Sequence, residues 1–196
     1  MKVAIIKYNA GNVSSVIHAL DRLGAEHILT DEPDTLKSAD KVIFPGVGEA
    51  ASTMSYLKSH RLDEIIVSLR QPTLGICLGQ QLMCSHSEEG DTDCLGIFDI
   101  PVLRFKPEIH EDKVPHMGWN ETSSFRSELF KGFNKPQYVY FVHSYYVPVC
   151  EWTAATTEYI VRFSASLHKD NFYATQFHPE KSGQTGDKIL ENFLNL

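Results

Sequence analysis

The chain has 196 residues, of which 42% are hydrophobic, enough for one domain with a sizeable core. Its net charge of −7 at pH 7 argues against a general nucleic-acid binder or anionic-membrane binder, because both need concentrated positive charge. Lys7 interrupts the N-terminal apolar run, which is therefore too short for a signal peptide or a membrane span. We expect a single domain, residues 1–196, in the cytoplasm, with its four cysteines as reduced thiols.

The first part of the chain alternates strand and helix patterns. Strands are predicted over residues 3–6, 26–29, 41–44 and 73–76, and helices over residues 13–23, 54–57, 62–69 and 78–84. The strands are short apolar runs without polar alternation, which is typical of strands buried on both faces. This pattern predicts an α/β fold with an open, mostly parallel central sheet flanked by helices.

The second part differs in character from about residue 95 onward. Short strand patterns over residues 102–105, 138–142, 160–163 and 172–177 lie between turn residues and predict additional strands, some of them antiparallel. Residues 187–196 carry apolar side chains at helical spacing, which predicts a closing amphipathic helix.

One cysteine lies in a distinctive local frame. Residues 73–81 are TLGICLGQQ, so Cys77 follows a predicted strand, precedes a predicted helix and is flanked by two glycines. An isolated cysteine is usually a small buried core residue, but strand, G-x-C-x-G and helix together are typical of a nucleophile elbow. Such a turn exposes the side chain at the carboxyl end of the sheet, and the helix N-terminus favours a thiolate and a nearby oxyanion. Cys84 and Cys94 lack this frame, and we interpret both as structural.

A candidate base follows the last predicted strand, in the sequence QFHPE. The residue before proline is held extended, so His178 is expected to continue the strand and to point to the same side as Glu180. The carboxylate would then orient the imidazole, as the acid of a triad does. Alone, this stretch fits a surface loop better; together with Cys77 it predicts a Cys-His-Glu triad.

The two motifs resemble the hallmarks of the class I, triad-type glutamine amidotransferases, GICLGxQ and QFHPE, and the resemblance covers most of the chain. It implies a flavodoxin-like α/β fold and hydrolysis of the glutamine side-chain amide through a γ-glutamyl thioester. In that reaction Cys77 attacks, His178 moves protons and Glu180 orients His178. No cofactor is implied, and the sequence contains neither a metal-binding cysteine pair nor a GxGxxG or P-loop motif.

The resemblance also implies roles for residues outside the triad. The implied oxyanion-hole residues are Gly46, Val47, Gly48 and Leu78. Taken alone, the glycine-rich segment fits a plain turn better. The implied substrate-binding residues are Gln81, Glu89, His143, Ser144 and Tyr145. On chemistry alone, Glu88 would serve as well as Glu89, and His143 fits an incidental position at a strand end.

Residues 114–120, VPHMGWN, resemble a segment typical of the glutaminase subunits of imidazole glycerol phosphate synthases. In that family the segment lines the joint with a cyclase subunit, a (β/α)8 barrel, which receives the ammonia for histidine biosynthesis. The alternative is a buried turn with Trp119 in the core. The implied interface residues of a heterodimer are Pro115, His116, Met117, Trp119 and Lys181.

Three other functions stay open at this point. The chain fits the amidotransferase subunit of another pathway, such as anthranilate or aminodeoxychorismate synthesis, although residues 114–120 weigh against it. It also fits a γ-glutamyl hydrolase or a cysteine peptidase on a related elbow. A regulatory module with a decayed site is the third, and the intact Cys77, His178 and Glu180 weigh against it.

Overall fold

The structure is a computed structural model that describes residues 1–8, 13–46, 48–107, 109 and 112–196, so the predicted site residue Val47 lies outside the described residues. The strands are β1 (Lys2–Ile6), β2 (Glu26–Thr30), β3 (Lys41–Phe44), β4 (Thr73–Ile76), β5 (His86–Ser87), β6 (Thr92–Asp93), β7 (Pro101–Arg104), β8 (His116–Ser123), β9 (Gln137–His143), β10 (Tyr145–Tyr146), β11 (Thr153–Tyr159), β12 (Val161–Lys169) and β13 (Phe172–Thr175). The α-helices are α1 (Ser14–Arg22), α2 (Pro33–Ser38), α3 (Ala50–Ser59), α4 (Leu62–Ser68), α5 (Leu78–Leu82) and α6 (Gly183–Leu194). Short 3-10 helices span Glu128–Phe130 and Pro179–Lys181.

The main sheet has nine strands in the order β2-β1-β3-β4-β13-β12-β11-β8-β9. The strands from β2 to β13 pair in parallel, and the strands from β13 to β9 pair antiparallel. A second sheet has the order β10-β7-β5-β6. The predicted α/β fold with a parallel central sheet and added antiparallel strands is therefore confirmed, with the antiparallel part as wide as the parallel part.

Both faces of the parallel part are buried. Along β1, Val3 and Ile5 belong to one core cluster with residues of α1 and α6, whereas Ala4 and Ile6 belong to a second cluster with residues of α2, α3 and α4. Alternate residues of a strand point to opposite faces, so helices cover the sheet on both sides. This double burial explains the continuous apolar runs in the sequence.

The predicted strands over residues 41–44 and 73–76 match β3 and β4, and most other predicted elements overlap observed ones within a few residues. The strand predicted over residues 160–163 covers only the first part of β12, which continues to Lys169. The sequence interpretation missed α2, β8, β11 and most of the second sheet. The sequence of β11, TAATTEY, is rich in small and hydroxyl residues although its first five positions are buried. Its hydroxyls are satisfied across strands, for example Thr157 Oγ1 with Thr122 Oγ1 at 2.7 Å, so pairing and not apolarity allows its burial.

Within the described part of the chain, none of the helices has the length and apolar character that crossing a bilayer requires.

Candidate active site at the carboxyl edge of the parallel strands

Three neighbouring parallel strands end at the same edge of the main sheet. In β4, Gly75 lies opposite Phe44 of β3, and Ile76 lies opposite Thr175 of β13. The segments that follow these strands carry the predicted oxyanion residues, the predicted nucleophile and the predicted histidine. Open α/β sheets place their binding sites at such carboxyl ends.

The turn after β4 has the geometry of a nucleophile elbow. Cys77 adopts φ 54° and ψ −107°, a strained conformation for a residue with a Cβ, and α5 begins at the next residue. A Cβ on Gly46 would overlap the Ile76 carbonyl oxygen, and a Cβ on Gly79 would overlap the Phe44 carbonyl oxygen. The glycines are thus required by close backbone packing around the cysteine.

His178 and Glu180 form a buried pair. His178 Nδ1 lies 2.7 Å from Glu180 Oε1, and each side chain is only 4% exposed. His178 is extended as predicted, with φ −97° and ψ 96°. The expectation that the segment stays extended as far as Glu180 is wrong, because the chain turns into the 3-10 helix Pro179–Lys181. Ser182 Oγ donates to the His178 carbonyl oxygen at 2.6 Å and closes this turn. The turn still brings the carboxylate to the imidazole.

The electrostatics of this pair favour a charged imidazole. Burial disfavours the charged ring, but the negative charge of the Cys77 thiolate, together with the charge of Glu180 and its hydrogen bond, outweighs burial and raises the pKa of His178 to about 10. Among the described residues, His178 Nε2 has no hydrogen-bond partner, so this nitrogen is available for proton transfer. The arrangement suits a thiolate–imidazolium pair.

Sequence reasoning gave Gln176 no role, yet its amide contacts the sulfur. Gln176 Nε2 donates to Cys77 Sγ at 3.6 Å, and Gln176 Oε1 accepts from Gln81 Nε2 at 3.0 Å. Gln81 Nε2 also donates to the Tyr145 carbonyl oxygen at 3.1 Å. Since a carbonyl only accepts, this bond orients Gln81, which in turn orients Gln176 with its NH2 group toward the sulfur. The available signal was a polar amide inside the predicted strand over residues 172–177, two residues before His178.

A pocket of about 380 Å³ brings most of the predicted site residues together. Its lining consists of Gly46, Gly48, Cys77, Leu78, Gln81, Glu89, Pro115, Val142, His143, Ser144, Tyr145, His178 and Lys181. Glu180 is behind His178 and outside this lining, as expected for an orienting group. The volume lies within the usual range for small-molecule sites, roughly 300–1,000 Å³.

The structure distinguishes the two candidate carboxylates. Glu89 is partly buried in the pocket lining, its Oε2 accepts from Ala50 N at 2.9 Å, and burial raises the pKa of its carboxyl. Glu88 lies outside that lining, where its carboxylate accepts from Arg104 N at 2.6 Å and lies 3.9 Å from Lys106 Nζ. Only Glu89 is therefore placed to meet a pocket ligand.

The segment from Val142 to Tyr145 forms one wall of the pocket. Cys77 Sγ lies 3.8 Å from the Val142 carbonyl oxygen. The His143 ring is buried, and its Nδ1 lies 2.6 Å from the Tyr145 carbonyl oxygen. His143 therefore supports the backbone of this wall from behind.

The predicted interface residues divide between two faces of β8. Met117 and Trp119 are 63% and 56% exposed, and Tyr138 on the neighbouring β9 is 59% exposed. Pro115 and Lys181 are also exposed and line the pocket. His116 is 4% exposed and lies on the inner face, so its side chain is not available to a partner, contrary to expectation. The alternation of β8 separates His116 from its exposed neighbours.

The other cysteines have a different environment from Cys77. Burial raises the pKa of the Cys84 thiol well above its ordinary value and raises that of Cys94 to about 12. Both thiols are therefore poor nucleophiles at neutral pH. In the described ranges, His, Cys, Asp and Glu side chains form no group of three or more that is placed to hold a metal ion.

Comparison with known proteins gives one consistent family. Residues 4–196 match the family model described as glutamine amidotransferase class-I. The chain is 66% identical over 196 residues to a Bacteroides thetaiotaomicron protein named imidazole glycerol phosphate synthase subunit HisH, with 100% of both chains covered. It is 44% identical over 198 residues to the protein of the same name from Pectobacterium atrosepticum, again with 100% of both covered.

A comparison of folds agrees with the sequence matches. The chain superimposes on a solved structure described as a glutamine amidotransferase with a TM-score of 0.75, covering 98% of this chain and 97% of the other. At 17% identity this likeness concerns the fold alone.

Proposed function

Since the chain belongs to the class-I glutamine amidotransferase family and, within it, to the HisH subunits of imidazole glycerol phosphate synthase, we propose that it is the glutaminase subunit of that synthase. One arrangement carries the chemical part of the proposal. Cys77 on a strained elbow and His178, paired with Glu180, line the same pocket. A nucleophile, a base and an orienting carboxylate are the parts that amide hydrolysis through a covalent intermediate requires.

The reaction begins with the Cys77 thiolate and the His178 imidazolium. The sulfur attacks the carbon of the glutamine side-chain amide, and the carbonyl electron pair moves onto oxygen. His178 gives its proton to the amide nitrogen, the C–N bond breaks, and ammonia leaves a γ-glutamyl thioester. Neutral His178 then takes a proton from water as the oxygen attacks the thioester. The C–S bond breaks, the thiolate and imidazolium return, and the new carboxyl group gives its proton to solvent.

The proposed oxyanion hole combines the first N–H group of α5, that of Leu78, with N–H groups of Gly46, Val47 or Gly48. The N–H groups of a first helical turn lack intrahelical acceptors. Gly46 packs so tightly against Leu78 that a Cβ on it would overlap the Leu78 nitrogen. Each such donor contributes about 3–4 kcal/mol to transition-state stabilisation in known cases.

The proposed substrate contacts follow from the pocket lining. Glu89 pairs with the glutamine α-ammonium group, and Gln81 contacts the bound substrate. Ser144 and Tyr145, on the wall supported by His143, hold the α-carboxylate through N–H and hydroxyl donors. These contacts place the side-chain amide at Cys77.

The proposed partner is the cyclase subunit, a (β/α)8 barrel, in a heterodimer with this chain. Met117, Trp119 and Tyr138 form an exposed apolar patch beside Pro115 and Lys181 at the pocket, and aromatic residues and methionine are enriched at interface cores. Ammonia passes directly to the partner, since free ammonia is mostly protonated near neutral pH. There it yields imidazole glycerol phosphate and an aminoimidazole carboxamide ribotide. We place the reaction in the cytoplasm, where thiols such as Cys77 stay reduced.

The decisive experiment measures glutamate release from glutamine by the purified chain alone, with the cyclase, and with the cyclase and its ribulosyl ligand. We expect activity to be low alone and highest in the liganded complex, and Cys77→Ala to abolish it. Glutamine-dependent synthesis that survives Cys77→Ala would reject the enzymatic role. Co-purification with a chorismate-using enzyme would point to another pathway, and turnover of γ-glutamyl peptides without glutamine turnover would indicate a hydrolase.

A further inference from the structure

Two buried histidines form a pair behind the wall of the pocket. His116 of β8 and His143 of β9 lie directly opposite each other in the antiparallel ladder. His116 Nδ1 and His143 Nε2 are 2.9 Å apart, and the two residues are 4% and 6% exposed. Neither His116 nor this pairing was anticipated as part of the pocket's support.

Asn120 determines which nitrogen of His116 carries the proton. Its Oδ1 accepts from Glu121 N at 2.7 Å, and its Nδ2 donates to the Glu158 carbonyl oxygen at 3.0 Å. Rotating the amide by 180° would oppose two acceptors and two donors, so these bonds fix its orientation. The same Nδ2 lies 3.2 Å from His116 Nε2. Because an NH2 group only donates, His116 Nε2 must be the unprotonated nitrogen.

The main chain determines which nitrogen of His143 carries the proton. His143 Nδ1 lies 2.6 Å from the Tyr145 carbonyl oxygen, which only accepts. His143 Nδ1 therefore carries the proton. The two ends agree with a single arrangement, in which Asn120 donates to His116, His116 Nδ1 donates to His143 Nε2, and His143 Nδ1 donates to Tyr145.

This chain of hydrogen bonds requires both rings to be neutral. A second proton on His143 would face the Nδ1–H of His116, and a second proton on His116 would face the Asn120 amide. Burial acts in the same direction, lowering the pKa of His116 to about 4 and that of His143 to about 3.

Aromatic rings hold His116 in place. Its imidazole stacks on Phe141, with ring centroids 4.7 Å apart, and on Tyr159, with centroids 3.9 Å apart. The Tyr159 hydroxyl is itself tied to the Lys113 carbonyl oxygen at 2.6 Å. His116 is thus packed against two rings, which hold the plane of its imidazole.

We propose that His116, oriented by Asn120, is a positioning residue that locks His143 as its Nδ1–H tautomer and thereby fixes the Tyr145 carbonyl. This proposal rests on the proposed function, in which Ser144 and Tyr145 hold the glutamine α-carboxylate. The Tyr145 carbonyl also accepts from Gln81, whose amide orients Gln176 toward Cys77. One oxygen atom therefore links the supporting histidines to the carboxylate wall and to the nucleophile.

The test compares His116→Asn with His116→Leu. The two replacements branch alike at Cγ, but only asparagine keeps an N–H donor near the position of the imidazole Nδ1. We expect the wild-type chain to show nitrogen NMR shifts of neutral Nδ1–H imidazoles for both histidines. His116→Leu leaves His143 Nε2 without its donor, so the ring is no longer held against the Tyr145 carbonyl oxygen and the single Nδ1–H signal of His143 broadens or shifts. His116→Asn keeps a donor to His143 Nε2 and retains the wild-type signal.

The kinetic readout is glutamine hydrolysis by the complex with the cyclase and its ligand. We expect the KM for glutamine to rise about tenfold in His116→Leu, the scale of one buried hydrogen bond, with a smaller change in kcat. In His116→Asn the KM stays within about twofold of wild type. Equal losses in both variants, or an unchanged KM in His116→Leu, would overturn the proposal.

The tautomers of the wild-type chain test the proposed direction of the hydrogen bonds without any variant and without a measurement of activity. An Nε2–H form of either histidine would contradict that direction. A complex that does not hydrolyse glutamine would refute the proposed function while leaving the tautomer result intact.

Discussion

His178 Nδ1 and Glu180 Oε1 lie 2.7 Å apart across one 3-10 turn, in a site where both side chains are 4% exposed. A buried carboxylate at this distance holds the ring in one tautomer and leaves the other nitrogen free for the chemistry. We expect Glu180→Gln to lower the pKa of His178 and to reduce glutaminase activity of the cyclase complex roughly hundredfold, the lower range for losing general acid–base catalysis. An unchanged pH–rate profile in this variant would count against the orienting role.

The proton on His178 also gives stability a defined pH dependence. The pKa of about 10 in the folded chain lies above the ordinary value of 6.5. The stabilisation that the charged His178 ring contributes to the free energy of unfolding is therefore fully present below about pH 6.5 and is lost as the pH rises through about 10. We expect the difference in free energy of unfolding between wild type and His178→Asn to shrink over that range in urea titrations. A difference that grows with pH would contradict the raised pKa.

Gln176 is expected to support the Cys77 thiolate, because its NH2 group lies 3.6 Å from the sulfur. Gln176→Glu keeps the shape but replaces this donor with a negative charge. We predict that alkylation of Cys77 by iodoacetamide slows about tenfold or more at pH 7, since a hydrogen bond to a charged group is worth roughly 1.5–3 kcal/mol. Gln137→Glu, the same charge change on β9, serves as the control and should react at the wild-type rate.

Gly46 is expected to tolerate no side chain, because a Cβ there would overlap backbone atoms of Ile76, Leu78 and Gly79. Gly46→Ala should abolish glutaminase activity and lower the free energy of unfolding by about 3 kcal/mol or more, the upper range for overpacking. Gly24→Ala is the matched control, since Gly24 has φ +66° and no atom within 4 Å of an added Cβ. It should cost only about 1–2 kcal/mol of backbone strain and leave activity intact. Equal effects on activity would show that close packing at the elbow is not required.

Trp119 is expected to contribute strongly to binding of the cyclase, because it is 56% exposed in the apolar patch beside the pocket. We predict that Trp119→Ala raises the Kd for the cyclase about thirtyfold or more, a loss of roughly 2 kcal/mol typical of an interface hot spot. The thermal stability of the isolated chain should not change. The Kd is measured by calorimetric titration of the cyclase with each variant. Val67→Ala, at an exposed position of α4, should leave the Kd unaltered in this titration. A Trp119 variant with wild-type affinity would move the interface elsewhere.

The local order of residue types was sufficient to predict the turn at Cys77. The elbow at Cys77 is predicted by a strand, two glycines and a helix within nine residues. The residues that determine this turn are close neighbours in the sequence. The same holds for β3 and β4, whose apolar runs reflect burial on both faces. In these cases the physical cause lies within the segment itself.

Other features depend on partners far away in the chain. His116 was expected among the interface residues, but its side chain is buried on the inner face of β8, a strand that was not predicted because its sequence contains glycine and asparagine. Its burial results from pairing with β9 and β11. Likewise, the turn at Pro179 is closed by Ser182, and the choice of Glu89 over Glu88 follows from the position of the β5–β6 hairpin against α3.

Residue identity alone specifies the proposed reactive groups, a thiol, an imidazole and a carboxylate, and their order along the chain, since these are properties of the residues. The hydrogen bonds that those groups make depend on the folded chain. Donor and acceptor directions across strands, as from Asn120 through His116 and His143 to Tyr145, exist only after residues distant in sequence lie within about 3 Å of one another.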